Sequence, residues 1–280
     1  MQNYQHIIDG SFEYYYRPAK NVNKQTIVFC HGYATFFDYY NSYSDQLSDN
    51  DYFAIVLPGH GTLPYKNEML KVSYYAKHLT DFINKLNLKR IILMGHSMGA
   101  AVSAAATNLL EKDIVDKLII ISPMNLTSIL KGTRFKTTFK IKPKKIEKSL
   151  YRFSKCLYFD KKSPYDNSIN GKELLEKEIK YYSEHVKSFD LLNKQMTTFK
   201  ELRFIVKNYK NLKVKTFLIL GEKDKILPVK LTIKKLKNDI NDLTYVQLLR
   251  TGHLLFIERP VDYFNLMNSI IESKSIKNIY

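Results

Sequence analysis

Residues 90–107 read RIILMGHSMGAAVSAAAT. Four apolar residues, Ile91 to Met94, run into Gly95-His96-Ser97-Met98-Gly99, and a stretch of small helix formers follows at once. A short apolar run stopped by glycine reads as a buried strand, and the alanine-rich stretch reads as a tightly packed helix. At the junction stands G-x-S-x-G, which in this strand–turn–helix setting marks a nucleophile elbow. The turn is so sharp that the serine must take a strained backbone conformation, and the flanking glycines leave room for strand and helix to meet. Only 10 of 280 residues are glycine, so a chance match is expected in roughly one such chain in fifty.

Working outward, the scarce glycines fall in the same kind of place. Seven of the ten lie in His31-Gly32, Gly59-His60-Gly61, the elbow, Gly221-Glu222-Lys223-Asp224 and Gly252-His253, which also hold four of the seven histidines. Each cluster stands at or just beyond the end of an apolar run: Thr26–Cys30, Phe53–Leu57, Ile91–Met94, Val214–Leu220 and Thr244–Leu249, with Leu118–Ile121 ending at Ser122-Pro123. Ile7 to Tyr16 alternates about Asp9-Gly10, a hairpin signal. Helical patterns separate the runs at Met69–Leu86, Ala100–Leu110, Val229–Leu236 and Val261–Ile271. Short buried strands alternating with helices predict an α/β fold with a mostly parallel sheet and helices on both faces. Ligands of such sheets bind beyond the carboxyl ends of the strands, where every cluster would converge.

A serine hydroxyl becomes a useful nucleophile only when a base removes its proton and a third group orients the base. In this fold the partners follow in the order serine, acid, histidine. That order makes His253 the general base and Asp224 the orienting acid, with the nearby carboxylates Glu222 and Asp242 as alternative acids. The oxyanion of a tetrahedral intermediate needs backbone donors: the N–H of Met98, and that of Tyr33 in the loop after the first central strand, with Gly32 letting the backbone approach. His31, Gly32, Gly95, His96 and Gly99 are the supporting residues. Cys30 reads as a small buried hydrophobe. Neither Cys30 nor Cys156 has disulfide-framework or metal-site spacing, so no metal or cofactor is expected.

At these residues the chain resembles the α/β-hydrolase superfamily over roughly 20–125 and 210–275. His31-Gly32-Tyr33 looks like the oxyanion loop, GHSMGA (95–100) like the elbow, GEKDKILP (221–228) like the acid loop, and TGHLLFIERP (251–260) like the histidine loop. Leu57-Pro58-Gly59-His60-Gly61-Thr62 with Glu68-Met69 is similar to the bacterial carboxylesterase and monoacylglycerol-lipase (lysophospholipase-like) branch. That resemblance implies a cofactor-free serine hydrolase of short- to medium-chain esters or monoglycerides, with His60 a structural loop residue. Dehalogenases and epoxide hydrolases of the same fold carry aspartate where Ser97 stands, and proline iminopeptidases place tryptophan beside the serine, whereas this chain has no Trp. Acyltransferase, thioesterase, peptidase and non-catalytic binding readings stay open, because a fold does not fix a substrate.

Between Pro123 and about Asn211 the alternation stops, for longer than a normal crossover needs. The resemblance implies a helical cap there, giving a core of 1–123 and 212–280 and a cap of 124–211. Leu174, Leu175, Ile179, Tyr182 and Val186 form one apolar stripe, and Phe199, Leu202, Ile205, Val206 and Tyr209 a second, both expected to be packing faces. The net charge of +17 is concentrated in this region. Residues 131–162 hold twelve Lys or Arg against Glu147 and Asp160, which leaves +10 of that total. A solvated lysine-rich face is the simpler expectation; a basic amphipathic helix at an anionic membrane surface, with Ile141, Ile146, Leu150, Phe153 and Leu157 interleaved among the cations, is the sharper one. No nucleic-acid recognition motif is present. No signal peptide or long apolar run is read, so a cytoplasmic setting is expected, with peripheral membrane association resting on the basic segment.

Overall fold

The structure, a computed structural model, describes residues 4–20, 25–35, 45–130, 145–160, 163–166 and 170–274. Eight strands form one sheet: β1 (Gln5–Asp9), β2 (Phe12–Arg17), β3 (Ile27–Cys30), β4 (Tyr52–Val56), β5 (Ile91–His96), β6 (Val115–Ile121), β7 (Thr216–Gly221) and β8 (Leu243–Leu248). Their spatial order is β1-β2-β4-β3-β5-β6-β7-β8. β1 and β2 form the expected antiparallel hairpin, β2 also runs antiparallel to β4, and every pairing from β4 through β8 is parallel. The hairpin turns at Gly10, whose φ of +63° is the left-handed conformation glycine adopts without strain.

The central strands are apolar on both faces because both faces are covered. Ile92 and Met94 point to one side with Ile27, Phe29, Ile119 and Phe217, and there α8 (Leu255–Glu258) buries Leu255 and α9 (Pro260–Ile271) buries Leu266, Met267 and Ile270. Val28, Leu93, Leu118 and Leu218 point to the other side. That side is covered by α1 (Val72–Lys85), α2 (Met98–Thr107) and α7 (Val229–Asp239). The alanines of α2 let it lie close on β5 and β6.

Between β6 and β7 come α3 (Leu126–Leu130), α4 (Ile146–Leu157), α5 (Gly171–Met196) and α6 (Phe199–Lys210). α4 packs on α5, whereas α6 lies in the core layer against α1, α2, α3 and α7. An amphipathic pattern says that a helix buries one face and not which neighbour buries it, so the sequence could not separate α6 from the rest of the insert. Leu202, Ile205 and Tyr209 are buried in that contact, while Phe199, at the head of the same stripe, is 74% exposed. On α5 the buried residues are Gly171, Glu178, Tyr182, Ser188, Phe189, Leu192 and Met196; Leu174, Leu175, Ile179 and Val186 are half-buried.

Candidate active site

β5 delivers Ser97 and α2 starts one residue later, so the serine has φ 55° and ψ −115°. A non-glycine residue there carries strain of about 1–3 kcal/mol, which only a rigid frame sustains. The frame is visible. Ser97 N donates to Ile121 O at 2.9 Å, and Met124 N donates to Ser97 O at 2.9 Å, so the end of β6 grips the serine backbone from both sides. A Cβ on Gly95 would lie 2.4 Å from Gly99 O, and one on Gly99 would lie 2.2 Å from Cys30 O. Both glycines of the motif are thus required by backbone atoms of neighbouring elements.

The loops after β7 and β8 bring Asp224 and His253 together. His253 Nδ1 donates to Asp224 Oδ2 at 2.7 Å, and Asp224 Oδ1 accepts from Ile226 N at 2.8 Å and Leu227 N at 3.0 Å. A carboxylate accepts only, so Nδ1 carries the ring proton and Nε2 is left as the basic nitrogen. The loops themselves touch backbone to backbone, since a Cβ on Gly221 would fall 2.0 Å from Gly252 O. His96 ties them to the elbow: its Nε2 donates to His253 O at 3.1 Å, and the two rings are 4.9 Å apart. Glu222 sits apart from this pair, engaging Arg250 N and Lys223. Asp242 gives its carbonyl to Thr216 N at the start of β7, the far end from Asp224. Ser97 is 8% exposed and Ser97 Oγ makes no hydrogen bond within the described residues. Bonds of this kind often close only when substrate is bound.

Gly32 faces the elbow: a Cβ there would meet Ser97 Cβ at 3.3 Å and His96 Nδ1 at 3.2 Å. The backbone of Tyr33 follows, and Met98 opens α2, where the first N–H groups have no partner inside the helix. Ala34 N is committed to His60 Nε2 at 3.2 Å. His31 Nδ1 donates to Gly32 O at 2.8 Å while its Nε2 accepts from Leu57 N at 3.0 Å. These two histidines therefore brace the 31–34 loop against the 57–60 loop. Burial keeps both neutral: it lowers His31 to about 4 and holds His60 well below the usual imidazole range, with His31 beside it adding to the effect. His96 is held low by burial first and by His253 second. Burial likewise pushes the Cys30 thiol up, so it is no thiolate nucleophile.

Several residues of this region carried no recognisable local signal in the sequence. α5 closes over the 31–35 loop: Tyr182 Oη donates to Ala34 O at 2.7 Å, Tyr181 Oη to His60 O at 3.0 Å, Ser188 Oγ to Gly59 O at 2.7 Å, and Tyr33 Oη to Phe189 O at 3.0 Å. Glu13, buried on β2, accepts from Thr62 N and Leu63 N and fixes the far side of the 57–63 loop. Of the basic segment 131–162, residues 131–144 and 161–162 lie outside the described residues. In the described part α4 exposes Lys148, Arg152 and Lys155, while Leu150 and Phe153 are buried. The centre of the apolar side of α4 thus packs into the protein, while Ile146 and Leu157 at its ends are half-buried. Among the described residues no helix is long and apolar enough to cross a membrane, and no group of three or more His, Cys, Asp or Glu could hold a metal ion.

The strand ends thus gather a serine hydroxyl on a strained turn, an imidazole with a buried carboxylate behind it, and the loop of Gly32 facing the serine. Residues 27–266 match the family described as the Alpha/beta hydrolase family. The chain is similar to "Putative esterase/lipase 3" of Mycoplasma genitalium, 32% identical over 97% of this chain and 96% of that one. The protein of the same name in Mycoplasma pneumoniae is 31% identical over the same shares. Among solved structures, the esterase RhEst1 from Rhodococcus sp. ECU1013 superposes with a TM-score of 0.74 at 16% identity, covering 98% of this chain and 100% of that one. At that identity the likeness speaks to the fold alone.

Proposed function

Because this chain belongs to the alpha/beta hydrolase family, we propose that it is a carboxylic ester hydrolase of the esterase/lipase kind, working through an acyl-enzyme on Ser97. The observation that carries the reading is the His253–Asp224 bond of 2.7 Å at the strand ends that also present the strained Ser97. His253 Nε2 takes the Ser97 proton as the hydroxyl attacks the ester carbonyl, and Asp224 stabilises the imidazolium that forms. The N–H groups of Met98 and Tyr33 receive the developing oxyanion, a contribution of roughly 3–4 kcal/mol per donor in enzymes of this chemistry. The imidazolium returns its proton to the leaving alcohol, and a water activated by the same base releases the acid. No metal or cofactor enters any step.

The insert 124–211 is read as a cap, with α5 as its working part. The aromatic residues Tyr182 and Phe189 of α5 seat that helix on the loop that carries the Tyr33 N–H, through Tyr182 Oη to Ala34 O and Tyr33 Oη to Phe189 O. The two buried free cysteines suit a reducing, cytoplasmic setting. Contact with an anionic membrane surface would rest on the charges of the basic segment, because Leu150 and Phe153 are packed inside. Sedimentation with anionic vesicles at low and high salt tests that part, and equal binding to neutral vesicles would remove it.

The main reading is tested by a fluorophosphonate probe and p-nitrophenyl esters of increasing chain length. Wild type is expected to label and turn over, and Ser97→Ala to do neither while keeping its fold. A Ser97→Ala protein with undiminished esterase activity would end the acyl-enzyme reading. Labelling without ester turnover would favour the thioesterase, peptidase or acyltransferase alternatives on the same residues.

A further inference from the structure

The end of the cap helix α4 is fastened to both loops that hold the acid and the base. On the acid side, Lys225 follows Asp224 directly, and its Nζ donates to Lys155 O at 3.2 Å, Tyr158 O at 2.7 Å and Phe159 O at 3.0 Å. On the base side, Glu258 accepts from Phe159 N at 2.5 Å and from Gly252 N at 2.5 Å, so one carboxylate spans the cap and the residue before His253. His253 N and Leu254 N donate to Leu157 O at 2.8 and 3.3 Å. Gly252 lies flat beneath this stretch: a Cβ on it would fall 2.6 Å from Leu157 O and 2.8 Å from Phe159 N.

The physical logic is specific. The carbonyls at the end of α4 have no partners within the helix, and an ammonium beside them supplies hydrogen bonds and a favourable charge. Lys225 therefore fixes where Leu157–Phe159 lies, and Glu258 pins the same stretch from the opposite side. Leu157 O then fixes the His253 backbone. We propose that Lys225 and Glu258 are positioning residues that use the Leu157–Phe159 stretch of the cap as a strap to set the height of the His253 ring above Ser97. The proposal rests on His253 being the base. Through the strap, the cap governs the proton transfer itself as well as access to the site. A displacement of about 1 Å at such a group can cost on the order of 100-fold in rate.

The test uses the whole protein and four variants: Lys225→Met, Lys225→Arg, Glu258→Gln and the Lys225→Met/Glu258→Gln pair, beside Ser97→Ala. Steady-state hydrolysis of a p-nitrophenyl ester is read together with the low-field proton resonance of the His253–Asp224 bond, and circular dichroism confirms folding. Lys225→Met should lower kcat about 10-fold or more with KM nearly unchanged, and broaden the low-field resonance. Lys225→Arg should recover most of that loss. The double variant should lose less than the two single losses combined, because both residues hold one stretch. Unchanged kcat and an intact resonance in both Lys225→Met and Glu258→Gln would overturn the strap, as would losses confined to KM. Should Lys225→Met not fold, Glu258→Gln and Lys225→Arg carry the same readouts. Wild-type activity in Ser97→Ala would instead overturn the acyl-enzyme reading, which separates the two failures.

Discussion

At the scale of single residues, the glycines differ in what they would tolerate, and the difference is measurable. An alanine at Gly99 would set its methyl 2.2 Å from Cys30 O and 2.4 Å from His31 O, both backbone atoms at the end of β3. Nothing there can swing aside. Gly99→Ala is expected to cost roughly 3 kcal/mol or more and to stop fluorophosphonate labelling, as the urea midpoint and the probe will report. An alanine at Gly10 would also be strained by its φ of +63°, but the nearest atom is the mobile Lys85 Nζ at 3.5 Å. Its cost should stay at about 1–2 kcal/mol with labelling intact. Equal losses at the two positions would contradict the packing of the elbow. These positions were legible in the sequence because glycine is so scarce elsewhere, and a residue type that is otherwise avoided marks where backbone must approach backbone. Lys225 and Glu258 were not legible. A lysine or glutamate on a loop looks the same whether it meets water or the end of another helix.

At the scale of elements, α5 is the piece whose role depends least on its own sequence. Its stripe of apolar residues announced a buried face, yet the residues that seat it are polar atoms of Tyr181, Tyr182 and Ser188 reaching loop carbonyls. Tyr182→Phe removes the 2.7 Å bond to Ala34 O and keeps the ring. The expected outcome is a loss of about 1 kcal/mol in urea unfolding and slower labelling of Ser97 as the 31–35 loop loosens. Unaltered labelling would mean that the loop is held by His31, His60 and the remaining bonds of Tyr33 and Tyr181 without the Tyr182 hydroxyl. The central strands, by contrast, are legible in the sequence to within about three residues at either end, with β6 starting at Val115 and not Leu118, because a run buried on both faces followed by a glycine cluster has few other meanings. α6 was assigned to the insert by its position in the chain and lies in the core layer, since periodicity gives a helix a buried side and no address.

For the whole molecule, four buried imidazoles set a pH dependence. His31 and His78 titrate at about 4 in the fold, lowered first by burial. His60 and His96 lie well below the usual range for the same reason. In the unfolded chain each takes up its proton near pH 6.5. Between about 4 and 6.5 the unfolded state therefore binds more protons, so stability rises with pH across that window and is lost as pH falls through it. The slope is at most about 1.4 kcal/mol per pH unit for each histidine. Unfolding free energies extrapolated from urea at pH 7 and pH 5 should differ by several kcal/mol, at most about 8 in total, and equal values would show that these rings are not held neutral. The order of the chain has one last consequence, which concerns its birth on the ribosome. Ser97 is made, and β5 can find β3 and β4, before β7 and β8 exist, because Asp224 and His253 lie more than about a hundred residues further along. On the proposed mechanism, the nascent chain holds only an ordinary alcohol at the elbow, and Ser97 gains its acid and base partners with the loops that follow the last two strands of the sheet, β7 and β8.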